Sequence, residues 1–190
     1  MRIIAGTHRG RRLEAPPDAR IRPTSDRVRE ALFSTLGHRL GGFAGKHVLD
    51  AFAGSGALGL EALSRGAARA TFMDKDRAAL ALCRRNAETL DLESSSRFLA
   101  TDATRPPKAD AACDLVLLDP PYGHGLGGAA LSALADAGWI EKGGLAVVEA
   151  DRARPESRPP GFRVIAERDY GRTRIAILER TAEDDDGKSG

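Results

Sequence analysis

Short apolar runs alternate with longer amphipathic segments over most of this chain. The runs have the length of β-strands and are largely apolar, as expected of strands that are buried on both faces. In the longer segments, apolar residues recur every three or four positions, which is typical of α-helices that pack on one side. This alternation predicts an α/β protein with a mostly parallel sheet and helices on both faces. The predicted strands are residues 47–52, 69–74, 97–103, 113–123 and 143–150, and the predicted helices are 57–66, 76–90 and 127–139.

The two ends of the chain depart from this alternation. Residues 1–15 predict a β-hairpin whose turn contains Gly10, and residues 162–178 predict a second, antiparallel hairpin that closes the sheet. Between the first hairpin and the sheet, helical spacing from Val28 to Leu36 predicts a helix capped near Asp26. We therefore divide the chain into a basic N-terminal hairpin and helix (1–45), a main domain (46–180) and a disordered acidic tail (181–190).

Composition indicates an ordinary globular protein. Hydrophobic residues make up 42% of the chain and charged residues 29%, and no apolar run approaches the roughly 20 residues that cross a bilayer. The N-terminus lacks the order of a signal peptide, so we expect a cytoplasmic protein without a membrane segment. Cys83 and Cys113 form no CxxC pair, and we expect both to be buried thiols and no metal to be bound. No feature demands more than a monomer.

Charge is distributed unevenly along the chain. The net charge is +2, but residues 1–46 carry ten Lys and Arg against four acids, a net of +6, and the remainder is therefore −4. A basic arm on a nearly neutral body is typical of proteins that contact a polyanion. A solvated arginine-rich face would give the same composition, and charge alone leaves both interpretations open.

A glycine-rich turn after the first predicted strand of the main domain indicates a cofactor site. In DAFAGSGALG (50–59), Gly54, Gly56 and Gly59 match the G-x-G-x-x-G pattern, which occurs in both dinucleotide and S-adenosylmethionine enzymes. Asp50 favours the second class, because a carboxylate there suits a cationic amino group and a sulfonium but repels a diphosphate. A turn-stabilising or helix-capping role for Asp50 is the alternative. The predicted cofactor contacts of this turn are Asp50, Phe52, Gly54, Ser55 and Gly56.

Acidic residues also lie at the carboxyl ends of the next two predicted strands. Asp74 is placed to accept hydrogen bonds from both ribose hydroxyls of a nucleoside, although Asp76 could do the same or cap the following helix. Lys75, between them, is included in the predicted cofactor site. Asp102 is placed to meet an adenine amino group, with Ala103 against the ring. These contacts are common to nucleoside ligands and do not separate the two cofactors.

The sequence LLDPPYG (117–123) favours methyl transfer. Asp119, Pro120, Pro121 and Tyr122 match the D/N-P-P-Y/F signature of methyltransferases that act on planar nitrogens. The Asp119 carboxylate and the Pro120 carbonyl can each accept one N–H, which directs the nitrogen lone pair at the methyl group. These acceptors also stabilise the positive charge that develops on nitrogen. Tyr122 offers a flat face to a base that has left its stack, so single-stranded or looped nucleic acid is the expected substrate.

Four sequence segments carry a specific resemblance to one enzyme family. RIIAGTHRGRRL, RPTSDRVREALF, LDAFAGSGALGLEALSRGA and LLDPPYGHGL together resemble the RsmD type of bacterial 16S rRNA guanine-N2 methyltransferase, from Arg2 to about Leu178. The resemblance implies a class I methyltransferase fold, S-adenosylmethionine as methyl donor, and methylation of one guanine of small-subunit rRNA in an assembly particle.

The resemblance also implies roles for individual residues. Asp50, Gly54 and Gly56 would hold the methionine end of the cofactor, Asp74 its ribose and Asp102 its adenine, and Asp119 to Tyr122 would form the target-nitrogen site. Arg27 and Glu30 would lie near the target entrance, unless they only form an exposed, salt-bridged helix face. The sequence departs from the family at MDKD, where glutamate is common. The predicted RNA contacts are Arg9, Arg11, Arg12, Arg22 and Arg27.

Two other functions are compatible with parts of this pattern. An adenine-N6 methyltransferase of DNA would share the Asp119–Tyr122 signature, but no segment of the size of a DNA target-recognition domain is visible. A nucleotide-binding scaffold without catalysis would share the glycine turn, but it would not need paired acceptors at a rigid corner.

Overall fold

The computed structural model describes residues 1–15, 26–121, 125–154 and 157–181 of the 190-residue chain. The chain divides into two compact units, Met1–Asp102 and Ala103–Gly190. The predicted acidic tail lies almost entirely outside the described residues. No helix in the described part combines the length and apolar character that crossing a membrane requires.

Helices and strands alternate through both units as the periodicity predicts. The helices are α1 (Asp26–Leu40), α2 (Ala57–Ser64), α3 (Arg77–Thr89) and α4 (Leu126–Asp136), with one 3₁₀ turn at Glu93–Ser95. The strands are β1 (His47–Ala51), β2 (Arg69–Asp74), β3 (Ser96–Ala100), β4 (Cys113–Leu118), β5 (Ile140–Asp151), β6 (Phe162–Tyr170) and β7 (Thr173–Arg180).

The strands follow the order β3-β2-β1 in the first unit and β4-β5-β7-β6 in the second. In the first unit, β1, β2 and β3 pair in parallel, with Asp50 opposite Phe72. In the second unit, β4 and β5 are parallel, whereas β5–β7 and β7–β6 are antiparallel. The predicted fold class, a mostly parallel α/β sheet with an antiparallel C-terminal hairpin, is therefore confirmed.

Each unit buries its own apolar side chains. In the first, Leu49 and Phe72 of neighbouring strands are fully buried, and Phe33 of α1 lies 5.7 Å from the Phe43 ring. In the second, Trp139 is buried and its indole N–H donates to the Pro107 carbonyl at 2.8 Å. Burying a large apolar side chain stabilises a fold by about 1.5–3 kcal/mol.

The strand ends differ from the predicted ones in ways that matter for the site. Strand β4 ends at Leu118, so Asp119 follows it directly instead of lying within it. Strand β5 begins at Ile140, before the predicted residue 143, and Gly143 has a φ of +78°. The longer strand is possible because glycine tolerates this backbone conformation.

The N-terminal hairpin is less regular than predicted. One isolated antiparallel bridge joins Arg2 and Arg12, supported by hydrogen bonds such as that from the Ile3 N–H to the Arg11 carbonyl. Ile3 and Leu13 are buried, at 1% and 5% exposure. The segment is therefore held by these two apolar anchors and by contacts with the helices, rather than by a strand ladder.

Candidate active site

The turn between β1 and α2 has an unusual backbone. Phe52 has a φ of +66°, although it is not glycine, and Gly54 and Gly56 have φ values of +55° and +79°. A non-glycine residue in this region costs about 1–2 kcal/mol, and such strain is concentrated at ligand-binding and catalytic sites. The strained backbone of this turn therefore indicates a ligand-binding or catalytic site, at the place where the sequence predicts cofactor contacts.

The three glycines of the turn are needed for different reasons. A Cβ on Gly56 would lie 2.3 Å from Cys83 Sγ, and one on Gly59 would lie 2.4 Å from the Phe72 ring. At Gly54 the nearest atom would be the Phe52 carbonyl oxygen, at 3.9 Å. Gly56 and Gly59 therefore permit close packing of the turn, whereas Gly54 leaves space where a ligand can approach the backbone.

Cys83 lies beneath this turn as a free, buried thiol, as predicted. Burial raises the pKa of Cys83 above its usual range, and the carboxylates of Asp50 and Asp74 raise it further. Cys113 is also free and buried, and burial raises its pKa to about 12. Both thiols stay neutral near pH 7 and serve as packing groups.

The Asp74 carboxylate organises the same turn. Its Oδ2 accepts the Gly54 N–H at 3.0 Å and its Oδ1 accepts the Asp76 N–H at 2.9 Å. Asp74 is half-buried, and a carboxylate has about four lone-pair sites, so it can still accept from a ligand. Asp76 instead caps α3 by accepting the Ala78 N–H at 2.8 Å. The capping role that the sequence offered for Asp76 is confirmed, and Asp74 remains the predicted ribose ligand.

Asp50 is the most enclosed of the predicted site carboxylates. It is 2% exposed, and its Oδ2 accepts the N–H of Gly59 on α2 at 2.8 Å. This bond joins the end of β1 to the first turn of α2, which is the turn-stabilising role that the sequence left open. Contact with a ligand amino group stays a prediction.

The remaining predicted cofactor residues lie around the ends of β1, β2 and β3. Asp102 is half-buried and Ala103 is buried, and the N–H of Thr101 donates to the Asp74 carbonyl at 3.0 Å. Ser55 is buried, Phe52 is half-buried and Lys75 is exposed. The turn, Asp74 and Asp102 belong to one compact unit.

The predicted target-nitrogen site begins where β4 ends. Leu118 is buried, Asp119 is half-buried with its Oδ1 enclosed, Pro120 is buried and Pro121 is exposed. The backbone of this corner is constrained by two successive prolines. Tyr122, predicted to stack on a base, lies outside the described residues.

The predicted RNA contacts are mostly at the surface. Arg9, Arg11, Arg12 and Arg27 are exposed, as is Glu30, and Arg22 lies outside the described residues. Arg11 also donates to the Thr89 carbonyl at the end of α3, at 2.5 Å. Arg11 therefore helps to attach the N-terminal segment to α3, in addition to any contact with a ligand.

Comparison with known proteins identifies the family. A family model described as "Conserved hypothetical protein 95" matches residues 1–179. "Ribosomal RNA small subunit methyltransferase D" of Haemophilus influenzae is 35% identical over 175 residues, covering 90% of this chain and 89% of the relative. The chain belongs to the RsmD-type methyltransferase family.

A further relative and a solved structure support the same assignment of this RsmD-type chain. "Ribosomal RNA small subunit methyltransferase D" of Escherichia coli K12 is 40% identical over 158 residues, covering 80% of this chain and 75% of the relative. The solved structure of "Putative methyltransferase yhhF" from Escherichia coli matches with a TM-score of 0.83 at 36% identity, covering 96% of this chain and 99% of the other. The class I methyltransferase fold expected from the sequence is confirmed.

The RsmD-type chain fixes its N-terminal segment through a buried carboxylate that sequence reasoning missed. Glu61 on α2 is fully buried and accepts the N–H groups of Ile4 and Ala5 at 2.7 and 3.1 Å. Arg65 donates to the same carboxylate at 2.7 Å and covers the Phe33 ring. The available signal was an acidic residue within the otherwise apolar segment ALGLEAL.

Asn86 on α3 is a second missed residue, and it links the N-terminal segment to the glycine turn. It is 1% exposed, accepts the Glu14 N–H at 2.8 Å and donates to the Glu14 carbonyl at 3.1 Å. Its amide also donates to the Ser55 carbonyl at 2.9 Å. The segment that carries the predicted RNA contacts is therefore tied to the turn predicted to hold the cofactor.

Metal ligands were not predicted for this RsmD-type chain. Within the described ranges, no group of three or more His, Cys, Asp and Glu side chains is arranged to hold a metal ion.

Proposed function

We propose that this chain transfers a methyl group from S-adenosylmethionine to the exocyclic N2 amine of a guanine in small-subunit rRNA. The observation that carries the proposal is the Asp119–Pro120 corner, which directly follows the buried strand β4 in a chain of the RsmD-type family. Its relatives in Haemophilus influenzae and Escherichia coli are named for small-subunit ribosomal RNA.

The chemistry of the first unit suits S-adenosylmethionine. Residues 50–59 contain one carboxylate and no Lys or Arg, which disfavours a diphosphate at this turn. Acceptors at Asp50, Asp74 and Asp102 match an amino group, ribose hydroxyls and an adenine amine, respectively. The open space at Gly54 lets a ligand approach the backbone. When bound, the cofactor supplies a methyl group on a positively charged sulfur.

The Asp119–Pro120 corner performs the positioning part of the reaction. The guanine N2 lone pair is delocalised into the ring, so the amine is a poor nucleophile until its geometry changes. Two acceptors, the Asp119 carboxylate and the Pro120 carbonyl, each take one N–H and direct the lone pair toward the methyl carbon. They also stabilise the positive charge that grows on nitrogen as the methyl–sulfur bond breaks and the sulfonium becomes a neutral thioether. That charge is lost when one of the two N–H protons is released after the transfer. The Tyr122 ring would support the base from one face.

The N-terminal segment is proposed to contact the RNA backbone. Arg9, Arg12 and Arg27 are exposed, and their guanidinium groups suit phosphate oxygens. Because a base must leave its stack to reach the corner, a loop or single strand in an assembly particle is the proposed target. The chain would act there as a cytoplasmic monomer.

Methyl transfer from labelled S-adenosylmethionine to two polymers tests this substrate class. We expect label to enter undermodified small-subunit RNA or particles, and duplex DNA rich in adenine to stay unlabelled. RNA that already carries the modification is the matched control and should accept no further label. Label in DNA adenine instead of RNA would overturn the proposal in favour of a DNA methyltransferase.

A further inference from the structure

Three arginines of the second unit lie together at the carboxyl end of β5. Arg152 and Arg154 follow Asp151, the last residue of this strand, and Arg172 lies in the turn between β6 and β7. All three are exposed, and the Arg172 side chain is 92% exposed. We refer to Arg152, Arg154 and Arg172 as the β5–β7 corner.

Backbone hydrogen bonds hold this corner in place. The Arg152 N–H donates to the Arg172 carbonyl at 2.8 Å, and the Arg154 N–H donates to the Asp151 carbonyl at 2.9 Å. The Asp151 carboxylate accepts the Ala153 N–H at 2.9 Å. Since the three Cα positions are fixed by these bonds, a ligand would need to order only the side chains.

The corner keeps a positive charge because its acidic neighbours are engaged. Asp169 accepts two hydrogen bonds from Arg174, at 2.8 and 3.0 Å. Asp151 Oδ2 lies 3.8 Å from Arg172, which is longer than a hydrogen bond, and the arginine of this pair is exposed, so the pair contributes little. Among the residues that the structure describes, no ion pair holds the side chains of Arg152 and Arg154.

The strand register brings the corner to the same edge as Asp119. Leu118 of β4 is level with Val148 of the parallel strand β5, so Asp119 is level with residue 149 and Arg152 lies three residues further. With a rise of about 3.3 Å per residue and strands about 4.8 Å apart, the Cα atoms of Asp119 and Arg152 are roughly 11 Å apart. Arg172 lies beside Arg152, one strand further from β4.

We infer that the β5–β7 corner binds phosphates of the nucleotides that flank the target base. The inference rests on the proposed function, because it takes a nucleic-acid base at Asp119 as given. A base held by Asp119 and Pro120 carries its neighbouring phosphates over the same edge of the sheet. Exposed guanidinium groups bind phosphate oxygens with charge-assisted, often bidentate bonds. The contact would be independent of sequence and would position the strand.

The dependence of RNA affinity on salt tests the corner. The variant R152A/R154A/R172A should bind undermodified small-subunit RNA more weakly. The log of the association constant decreases linearly with the log of the salt concentration, and the steepness of this decrease should be smaller by about 2 to 3 in the variant. The matched control is K142A, an exposed basic residue on β5 at the opposite end of the strand. It should leave the slope unchanged. The variant R9A/R12A, which removes two of the proposed phosphate contacts, is the positive comparator.

Kinetics separate this inference from the function on which it rests. The corner variant should raise KM for RNA and leave turnover at saturating RNA, and the affinity for S-adenosylmethionine, within two-fold of wild type. If wild-type protein methylates RNA but the corner variant keeps the full salt slope, the inference about the corner is wrong and the proposed function stands. If the wild type transfers no methyl to RNA, the proposed function itself fails.

Discussion

Replacing Asp119 with alanine is expected to lower methyl-transfer turnover by about 10²–10³-fold, the cost of removing one preorganised group that stabilises charge. The affinity for S-adenosylmethionine should stay within a few-fold of wild type, because the proposed cofactor acceptors Asp50, Asp74 and Asp102 lie in the first compact unit and Asp119 in the second. Single-turnover methyl transfer, together with equilibrium binding of the cofactor, measures both quantities.

The asparagine variant shows how Asp119 acts. The D119N side chain keeps one acceptor oxygen but loses the negative charge, so its turnover should fall between those of wild type and D119A. If D119N is as inactive as D119A, the acceptor oxygen contributes nothing, which would contradict the proposed hydrogen bond. Asp114 provides the matched control, because it is also half-buried and lies near the other end of β4. D114N should keep wild-type turnover.

Replacing Gly56 with alanine is expected to destabilise the protein by about 3–5 kcal/mol, at the upper end of single-residue effects. The added Cβ would lie 2.3 Å from Cys83 Sγ and 3.3 Å from the Phe72 ring, on a backbone with a φ of +79°. Overpacking and left-handed strain therefore add together. Urea denaturation at equilibrium gives the change in the free energy of unfolding.

Two further variants separate the contribution of overpacking from that of the left-handed backbone strain. Gly45 has a φ of +76° and nothing within 4 Å of an added Cβ, so G45A should cost only the strain of about 1–2 kcal/mol. The double variant G56A/C83A removes the sulfur that G56A meets and should be more stable than the sum of the two single changes predicts. Equal losses for G56A and G45A, or strict additivity with C83A, would show that packing against Cys83 is not the cause.

Local sequence signals were sufficient for the regular elements of the sheet. Strand β2 was predicted at 69–74 and is observed at Arg69–Asp74, because a short apolar run lies between a glycine-terminated helix and the capping residue Asp76. Strand β5 was predicted to start at residue 143 but begins at Ile140, so the residues missed are those before Gly143. Pairing with β4 carries the strand back to Ile140, and this tertiary effect has no local signal.

The residues of the candidate site were predictable where a side chain suited to the chemistry lies at the end of a predicted strand. Asp74 and Asp119 follow this rule, since both lie where a strand ends, at or directly after its last residue. The buried hydrogen bonds of Glu61 and Asn86 to the N-terminal segment join residues more than 55 positions apart. Periodicity marks such helix positions as internal but cannot show which backbone groups they satisfy.

The central claim is that the chain methylates guanine N2 in small-subunit rRNA, and the identity of the modified nucleoside tests it most directly. Undermodified small-subunit particles would be incubated with the protein and S-adenosylmethionine, and the RNA digested to nucleosides for mass spectrometry. We predict N2-methylguanosine at one position, formed by wild-type protein and lost with D119A. A methyl group on a ring nitrogen, on ribose or on adenine would contradict the claim.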